Sequence, residues 1–186
     1  GIDTFAAVVG GSMGGMHALE FAVSHPARVG RLAVLASTAQ TTADQIAANS
    51  LQRAAIQMDP AFAGGDYYEA DTGEGPHRGL SLARRMALMT YRASDELNSR
   101  FARSWQSDVS PLGDDGRFSV ESYLDFHGNK FTRRFDASSY VTLTYAMDSH
   151  DVGAGRGGVS AALGLVTART LVVGISSDRL FPVEDQ

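Results

Sequence analysis

The sequence predicts an α/β protein built on a parallel sheet. Three apolar runs have the length of strands and are continuous rather than alternating, which is typical of strands buried on both faces of a sheet. These runs are Phe5–Val9, Arg31–Ser37 and Arg169–Ile175. One helix-length segment separates the first two runs, so we expect a parallel pair of strands joined by a crossover helix.

The segment after the first strand carries a candidate nucleophile. Gly10–Gly14 reads Gly-Gly-Ser-Met-Gly and fits G-x-S-x-G, the nucleophile elbow of α/β-hydrolases. In such an elbow a strained turn exposes Ser12, and we expect a Cβ at either Gly10 or Gly14 to collide with the turn. The N–H of Met13 would then face a developing oxyanion. The alternatives are a glycine-rich turn whose serine has no chemical role, or a phosphate-binding loop. The turn lacks the Lys-Ser/Thr ending of a P-loop and the glycine spacing of a dinucleotide-binding fingerprint, which argues against a phosphate-binding loop.

The bulk composition excludes several classes of function. The 186 residues carry a formal net charge of −5, which argues against a nucleic-acid-binding surface. There is no cysteine, so disulfides, thiolate catalysis and cysteine zinc sites are excluded. No apolar run approaches transmembrane length. The chain starts and stops close to core strands, so we expect a fragment that lacks both ends of its domain.

A long helical segment divides the predicted sheet. About 130 residues lie between the second and third strands, which is typical of a lid inserted over an active site. We expect a core with the elbow over residues 1–41, a helical lid over 42–157 and a return to the core sheet over 158–186. Capping residues and apolar spacing predict helices beginning near Thr42, Gly79, Ser94, Ser119 and Asp136. In the second of these, Leu82, Met86 and Met89 are expected to form the buried face.

Four separated segments resemble one family, the homoserine O-acetyltransferases. They are Gly10–Glu20, Ala83–Arg92, Ser149–Ser160 and Gly174–Pro182, and the resemblance extends over essentially the whole chain. It implies an α/β-hydrolase fold with a helical lid, a homodimer formed through lid helices, and a cytoplasmic enzyme of methionine biosynthesis. The implied reaction moves an acetyl group from acetyl-CoA, as co-substrate, to the hydroxyl of L-homoserine, with no metal and no bound cofactor.

The resemblance also implies roles for particular residues. Ser12 would be the nucleophile and Asp178 the acid of a catalytic triad, while Arg84 and Tyr91 would line the substrate site. The family's catalytic histidine follows the strand that carries Asp178, and all five histidines here precede it. We therefore expect this chain alone to be inactive, and to lack the upstream strands and the oxyanion-hole loop.

Each candidate residue also has a plainer interpretation. Asp178 follows the carboxyl end of a parallel strand, where ligands bind in open sheets, but it could simply cap the next turn. Arg84 and Tyr91 are seven residues apart and share a helix face, yet they could be a surface arginine and a core tyrosine. His150-Asp151 could serve as a catalytic pair, but the chain order of the fold places the base after the acid. We therefore expect the pair either to order the following glycine-rich turn or to face the cleft without taking part in the reaction.

Basic and apolar residues of the lid raise two further expectations. His77–Ser94 contains four arginines and no acid, and these could meet CoA phosphates or form salt bridges with lid acids. The arginines are Arg78, Arg84, Arg85 and Arg92. The lid also carries more large apolar residues than a thin cap needs, which suggests a dimer interface. These are Leu51, Ile56, Met86, Phe101, Trp105 and Phe126.

Three other functions fit the same residues. A serine hydrolase or esterase on this fold needs neither CoA nor the arginine clamp. A sister acyltransferase would use succinyl-CoA as donor or serine as acceptor. The third is a catalytically incomplete fragment or an interaction module, neither of which carries out a reaction.

Overall fold

A computed structural model describes residues 1–71, 73–113 and 115–186. The chain divides into two compact units, one formed by Gly1–Ile46 with Tyr145–Gln186 and the other by Ala47–Thr144. Two helices, Ala43–Gln57 and Ala137–Asp148, run across the divisions. The expected division into core and lid at residues 41/42 and 157/158 stays a prediction.

The first unit contains a parallel sheet of three strands. They are β1 (Val8–Gly11), β2 (Arg31–Leu35) and β3 (Arg169–Val173), in that spatial order. β1 pairs in parallel with β2, and β2 pairs in parallel with β3. The predicted strands and the parallel pairing are confirmed, but β1 starts later than predicted. Phe5 forms only an isolated bridge with Val29, and the paired strand runs on to the residue before Ser12.

Helix α1 (Met13–Ser24) follows β1 directly and buries its apolar face on the sheet. Ala18, Leu19, Ala22 and Val23 of α1 form a core with Leu32 and Val34 of β2. A short helix, α7 (Val159–Leu163), was not predicted and adds Ala162 to this core. His25-Pro26 ends α1 as predicted, and a 3₁₀ turn follows at Pro26–Arg28.

The two faces of the sheet differ in exposure. Leu32 and Val34 point toward α1 and are buried, whereas the side chains of Val9 and Leu171 are 65% and 58% exposed. All five residues of β3 are exposed. The prediction of strands buried on both faces is therefore wrong for β1 and β3 of this chain: Val9 of β1 is exposed, and α1 packs on β1 and β2.

The second unit is helical. Its elements are the body of α2 (Ala43–Gln57), a 3₁₀ turn at Pro60–Gly65, α3 (His77–Tyr91), α4 (Ser94–Phe101), α5 (Ser119–Thr132) and the body of α6 (Ala137–Asp148). Within the part of the chain that the structure describes, no helix combines the length and apolar character needed to cross a membrane.

The helix starts largely confirm the predicted caps. Thr42 and Gln45 form a reciprocal capping box, with the Thr42 N–H 3.0 Å from Gln45 Oε1. Asp136 caps α6 through the N–H of Ser139, at 2.7 Å. Ser94 is the first residue of α4 rather than its cap, which is Ala93.

The predicted apolar face of α3 is wrong. Leu82 and Met89 are 45% and 39% exposed, and the buried residues are Gly79, Leu80, Ser81, Ala83, Ala87 and Leu88. Small side chains are buried because α3 packs closely on its neighbours. A Cβ at Gly79 would lie 2.6 Å from Ala55 O, and a Cβ at Gly128 of α5 would lie 2.8 Å from Ser81 O.

Candidate active site

Ser12 stands at a strained turn between β1 and α1. Its φ of 53° and ψ of −127° lie outside the regions that non-glycine residues favour. Backbone hydrogen bonds hold this conformation. The Ser12 N–H donates to Leu35 O at 3.0 Å, and Ser12 O accepts from the N–H of Gly15 at 2.8 Å and from the Ser37 hydroxyl at 2.8 Å. Ser12 is exposed, so the turn presents its hydroxyl to solvent as the elbow motif predicts.

The glycines around Ser12 do not have equal roles. A Cβ at Gly10 would overlap the carbonyl of Gly14 and approach Gly15 N to 2.7 Å, which confirms the predicted collision there. A Cβ at Gly14 would meet nothing within 4 Å, so the collision predicted at Gly14 is wrong. The second crowded position is Gly15, where a Cβ would lie 2.5 Å from Ser37 Cβ.

Met13 is the first residue of α1, and its N–H lies next to the candidate nucleophile. An N–H in the first turn of a helix has no acceptor within the helix, and it also lies at the positive end of the helix dipole. This position suits an oxyanion donor.

Asp178 lies in the turn after β3 and is partly buried. Its Oδ1 accepts from the backbone N–H groups of Leu180 and Phe181, at 2.9 and 3.0 Å. Asp178 therefore caps the next turn, as the plainer interpretation predicts. The same two bonds orient the carboxylate, which a triad acid also needs.

The sheet brings these residues to one edge. Gly11, Leu35 and Val173 are level across the three strands, so the segments bearing Ser12 and Asp178 both leave the carboxyl edge. β1 and β3 are two strand spacings apart, about 10 Å. An imidazole ring that forms hydrogen bonds to one side chain from each of these strand ends would span a comparable distance. Separately, the second unit brings Arg84 and Tyr91 together on one face of α3.

His150 and Asp151 are engaged in holding a turn. His150 Nε2 lies 3.0 Å from Thr38 O, and burial is the main cause that lowers the pKa of this half-buried histidine. The Asp151 carboxylate accepts from Gln40 Nε2 at 2.9 Å and from the N–H of Gly153 at 2.7 Å. These contacts favour the expectation that the pair orders the glycine-rich turn.

Arg84 lies between two aromatic rings. Its Cζ is 5.2 Å from the centroid of Tyr91 and 4.7 Å from that of Phe131, distances typical of cation–π contacts. The Tyr91 side chain is 51% exposed, so it is not a core tyrosine. The two rings hold the guanidinium group in place.

The other arginines of α3 and the turn after it have different partners. Arg85 Nη1 lies 2.8 Å from Asp125 Oδ1, and Arg92 Nη1 lies 3.8 Å from Glu96 Oε1. Asp125 also binds Arg117. For Arg85 and Arg92, salt bridges to acids are therefore confirmed.

One ion pair of the first unit was not predicted. Arg156 makes a two-pronged contact with Glu20, at 3.0 and 2.6 Å, and this hydrogen-bonded contact lowers the pKa of Glu20. The pair ties the glycine-rich segment to α1. The residues are 136 apart in sequence, so spacing could not have signalled the contact.

The parallel-sheet fold and the nucleophile elbow are together typical of one class of protein, the α/β-hydrolases. The family model described as "alpha/beta hydrolase fold" matches residues 1–186, and the chain belongs to this family. Within it, the chain is 69% identical over all 186 residues to the homoserine O-acetyltransferase of Clavibacter michiganensis subsp. michiganensis, of which it covers 48%. The chain thus spans about half the length of the curated relatives it matches.

Two solved structures show the same architecture. The homoserine O-acetyltransferase of Bacillus anthracis superposes with a TM-score of 0.86 at 26% identity, over 97% of this chain and 48% of that one. An acetylester hydrolase of Corynebacterium glutamicum superposes with a TM-score of 0.83 at 30% identity, over 100% of this chain and 50% of that one. The predicted α/β-hydrolase fold is confirmed.

Metal ligands are not clustered in the described ranges, 1–71, 73–113 and 115–186. No group of three or more His, Cys, Asp and Glu side chains there is placed to hold a metal ion.

Proposed function

We propose that the gene product containing this chain transfers an acetyl group from acetyl-CoA to the hydroxyl of L-homoserine through an acetyl-Ser12 intermediate. The observation that carries the covalent step is the strained elbow, which exposes Ser12 beside the N–H of Met13. The choice of homoserine transfer is supported by 69% identity, across all 186 residues, to a curated homoserine O-acetyltransferase.

In the first half-reaction, Ser12 Oγ attacks the thioester carbon as a histidine takes its proton. The Met13 N–H stabilises the negative charge on the carbonyl oxygen. The C–S bond then breaks, and the histidine returns the proton to the sulfur of CoA. The histidine would come from outside this chain, because all five histidines here precede Asp178.

In the second half-reaction, the homoserine hydroxyl attacks the acetyl-Ser12 ester. The same histidine accepts the hydroxyl proton and returns it to Ser12 Oγ as the ester bond breaks. Arg84 would hold the homoserine carboxylate with two parallel hydrogen bonds, and Tyr91 would add a contact in the same cleft. Positioning the alcohol while excluding water favours transfer over hydrolysis.

Asp178 would act through the histidine. Its Oδ1 is fixed by two backbone N–H groups, so the carboxylate is oriented before substrate binds. A fixed carboxylate holds the imidazole in one tautomer and stabilises the imidazolium that forms in each half-reaction.

Assembly and location belong to the same proposal. We infer a cytoplasmic homodimer in which the helical segment over residues 42–157 serves as lid and interface. Exposed Leu51, Trp105 and Phe126, at 59%, 50% and 61%, support an apolar interface. Ile56, expected to contribute to it, is fully buried at 0% exposure and belongs to the core of the second unit. Sedimentation as a monomer at micromolar concentration would contradict the dimer.

A serine esterase is the second candidate. It is favoured by the acetylester hydrolase of Corynebacterium glutamicum, whose structure superposes at 30% identity. An esterase would release acetate at the same rate with or without homoserine.

The distinguishing experiment measures the products of the complete gene product. With acetyl-CoA and homoserine, we expect O-acetylhomoserine to form in step with CoA release and little acetate. Succinyl-CoA and serine serve as competing donor and acceptor. Acetate as the main product, or a preference for succinyl-CoA or serine, would contradict the proposal. Residues 1–186 alone should show no turnover, because no histidine in them follows Asp178.

A further inference from the structure

Ser37 lies against the elbow, although it is 25 residues from Ser12 in the chain. It is only 2% exposed, and its hydroxyl donates to the backbone carbonyl of Ser12 at 2.8 Å. The contact is close on the helix side as well, because a Cβ at Gly15 would lie 2.5 Å from the Ser37 Cβ. A buried hydroxyl is thus packed onto the backbone of the candidate nucleophile, and the reaction described above gives it no role.

A second strained turn brings Ser37 to this place. Ala36 follows β2 directly and has a φ of 44°, in the left-handed region that residues other than glycine rarely occupy. Its N–H donates to Val173 O of β3 at 2.9 Å, and Leu35 O accepts from the Ser12 N–H at 3.0 Å. These bonds fix the turn by which the chain leaves the sheet. Strain of this kind persists where the surrounding structure holds it, and it concentrates at functional sites.

The carbonyl that Ser37 binds belongs to the same peptide group as the Met13 N–H. This peptide bond is trans and planar, so its C=O and N–H point in opposite directions. Whatever fixes the direction of the Ser12 C=O therefore also fixes the direction of the Met13 N–H. The N–H groups of Gly15 and Met16 donate to Ser12 O too, but both belong to α1 itself. Ser37 ties the peptide to the segment after β2.

We propose that Ser37 is a positioning residue for the oxyanion site. Its hydroxyl holds the Ser12–Met13 peptide so that the Met13 N–H points at the oxygen on which negative charge develops. The inference rests on the proposed function for the acetyl-Ser12 step, but not for the identity of the acceptor. An oxyanion donor is effective because it is oriented before the charge appears. A hydrogen bond to the carbonyl also polarises the peptide group, which strengthens the bond that its N–H donates.

Ser37→Ala in the complete gene product removes the hydroxyl and leaves two donors, the Gly15 and Met16 N–H groups, on Ser12 O. We expect the rate of Ser12 acetylation at saturating acetyl-CoA to fall about 10-fold, which is less than the roughly 100-fold cost of losing a whole oxyanion donor. Both half-reactions pass through an oxyanion, so both should slow equally and the KM for homoserine should not change.

Thr38→Val is the matched control. Thr38 is 4% exposed, and its hydroxyl donates to Gln40 O at 2.8 Å, so this variant also loses one buried hydrogen bond. The lost bond is next to Ser37 in the chain but does not involve the Ser12 carbonyl. Thr38→Val should lose as much stability to urea as Ser37→Ala while keeping the wild-type rates. An equal loss of rate in the two variants would overturn the proposal, because general loosening of the segment would then explain both.

Infrared spectroscopy of the acetyl-enzyme, with an isotope label in the acetyl carbonyl, reports on the oxyanion site directly. A hydrogen bond from the Met13 N–H lowers the stretching frequency of the ester carbonyl. The band of Ser37→Ala should therefore lie at a higher frequency than the bands of the wild type and of Thr38→Val. The same frequency in all three proteins would overturn the positioning role, even if Ser37→Ala were slow.

A second acetyl donor, p-nitrophenyl acetate, separates this proposal from the proposed function. If only the nitrophenyl ester acetylates Ser12, the transferase assignment fails, but a carbonyl band that is shifted in Ser37→Ala alone still supports the positioning role. Acetylation of Ser12 by neither donor would overturn both proposals.

Discussion

Replacing Gly10 by alanine tests how the elbow is built. The new Cβ would overlap the Gly14 carbonyl and approach Gly15 N to 2.7 Å. These are backbone atoms of the first turn of α1, so no side-chain rotation can relieve the overlap. Moving that turn would disturb the bonds from the Gly15 and Met16 N–H groups to Ser12 O, at 2.8 and 3.2 Å.

The structure sets the size of the effect. Overpacking of a rigid site costs about 1–3 kcal/mol, and each disturbed backbone hydrogen bond costs about 1 kcal/mol. We therefore expect Gly10→Ala to lower the free energy of unfolding by about 3–5 kcal/mol. Gly14→Ala is the matched control, because its Cβ meets nothing within 4 Å. Alanine there should be neutral or stabilise the helix by up to about 1 kcal/mol.

Urea unfolding of the complete gene product, followed by circular dichroism, measures both variants against wild type. A Gly10→Ala variant within about 1 kcal/mol of wild type would refute the steric reasoning. So would a Gly14→Ala variant that is destabilised as strongly as Gly10→Ala.

Three further predictions concern charged residues. Arg84→Ala should keep the burst of CoA release at saturating acetyl-CoA but weaken transition-state binding for homoserine by roughly 2–4 kcal/mol, and Arg84→Lys should recover only part of this loss. Asp178→Asn should keep the protein folded and slow both half-reactions. Arg156→Gln should destabilise the protein at pH 7. Because the pKa of Glu20 is lowered in the fold, this destabilisation should disappear as the pH falls through that lowered pKa.

Each of these predictions has a contrary outcome. Loss of the CoA burst in Arg84→Ala with an unchanged homoserine KM would assign Arg84 to CoA binding or lid structure. Wild-type rates in Asp178→Asn would leave Asp178 with only its role in the turn. An Arg156→Gln destabilisation that persists unchanged after Glu20 has become protonated would mean that Arg156 acts through packing rather than through the Glu20 carboxylate.

The sequence was most informative where neighbours in the chain decide the structure. Strand β1, the elbow and α1 follow one another directly, so an apolar run and a glycine-bracketed serine predict them together. The caps at Thr42 and Asp136 are also local, because a side chain binds an N–H three residues away.

Contacts between distant segments could not be predicted in this way. The role of Gly15 depends on Ser37, which β2 brings beside the elbow. The predicted apolar face of α3 is wrong because hydropathy ranks Gly79 and Ala83 below Leu82. Close packing between the helices buries these small residues instead. Arg84 of α3 lies against the ring of Phe131 of α5, and only the packing of α3 on α5 brings these two residues together.

The central claim is that Ser12 carries the acetyl group. Mixing the complete gene product with acetyl-CoA, without homoserine, and quenching in acid should leave one acetyl group per chain, which peptide mapping by mass spectrometry should locate on Ser12. Ser12→Ala should remain folded, acquire no acetyl group and release no burst of CoA. Acetyl transfer to homoserine that persists in Ser12→Ala, or an acetyl group found on another side chain, would contradict the claim.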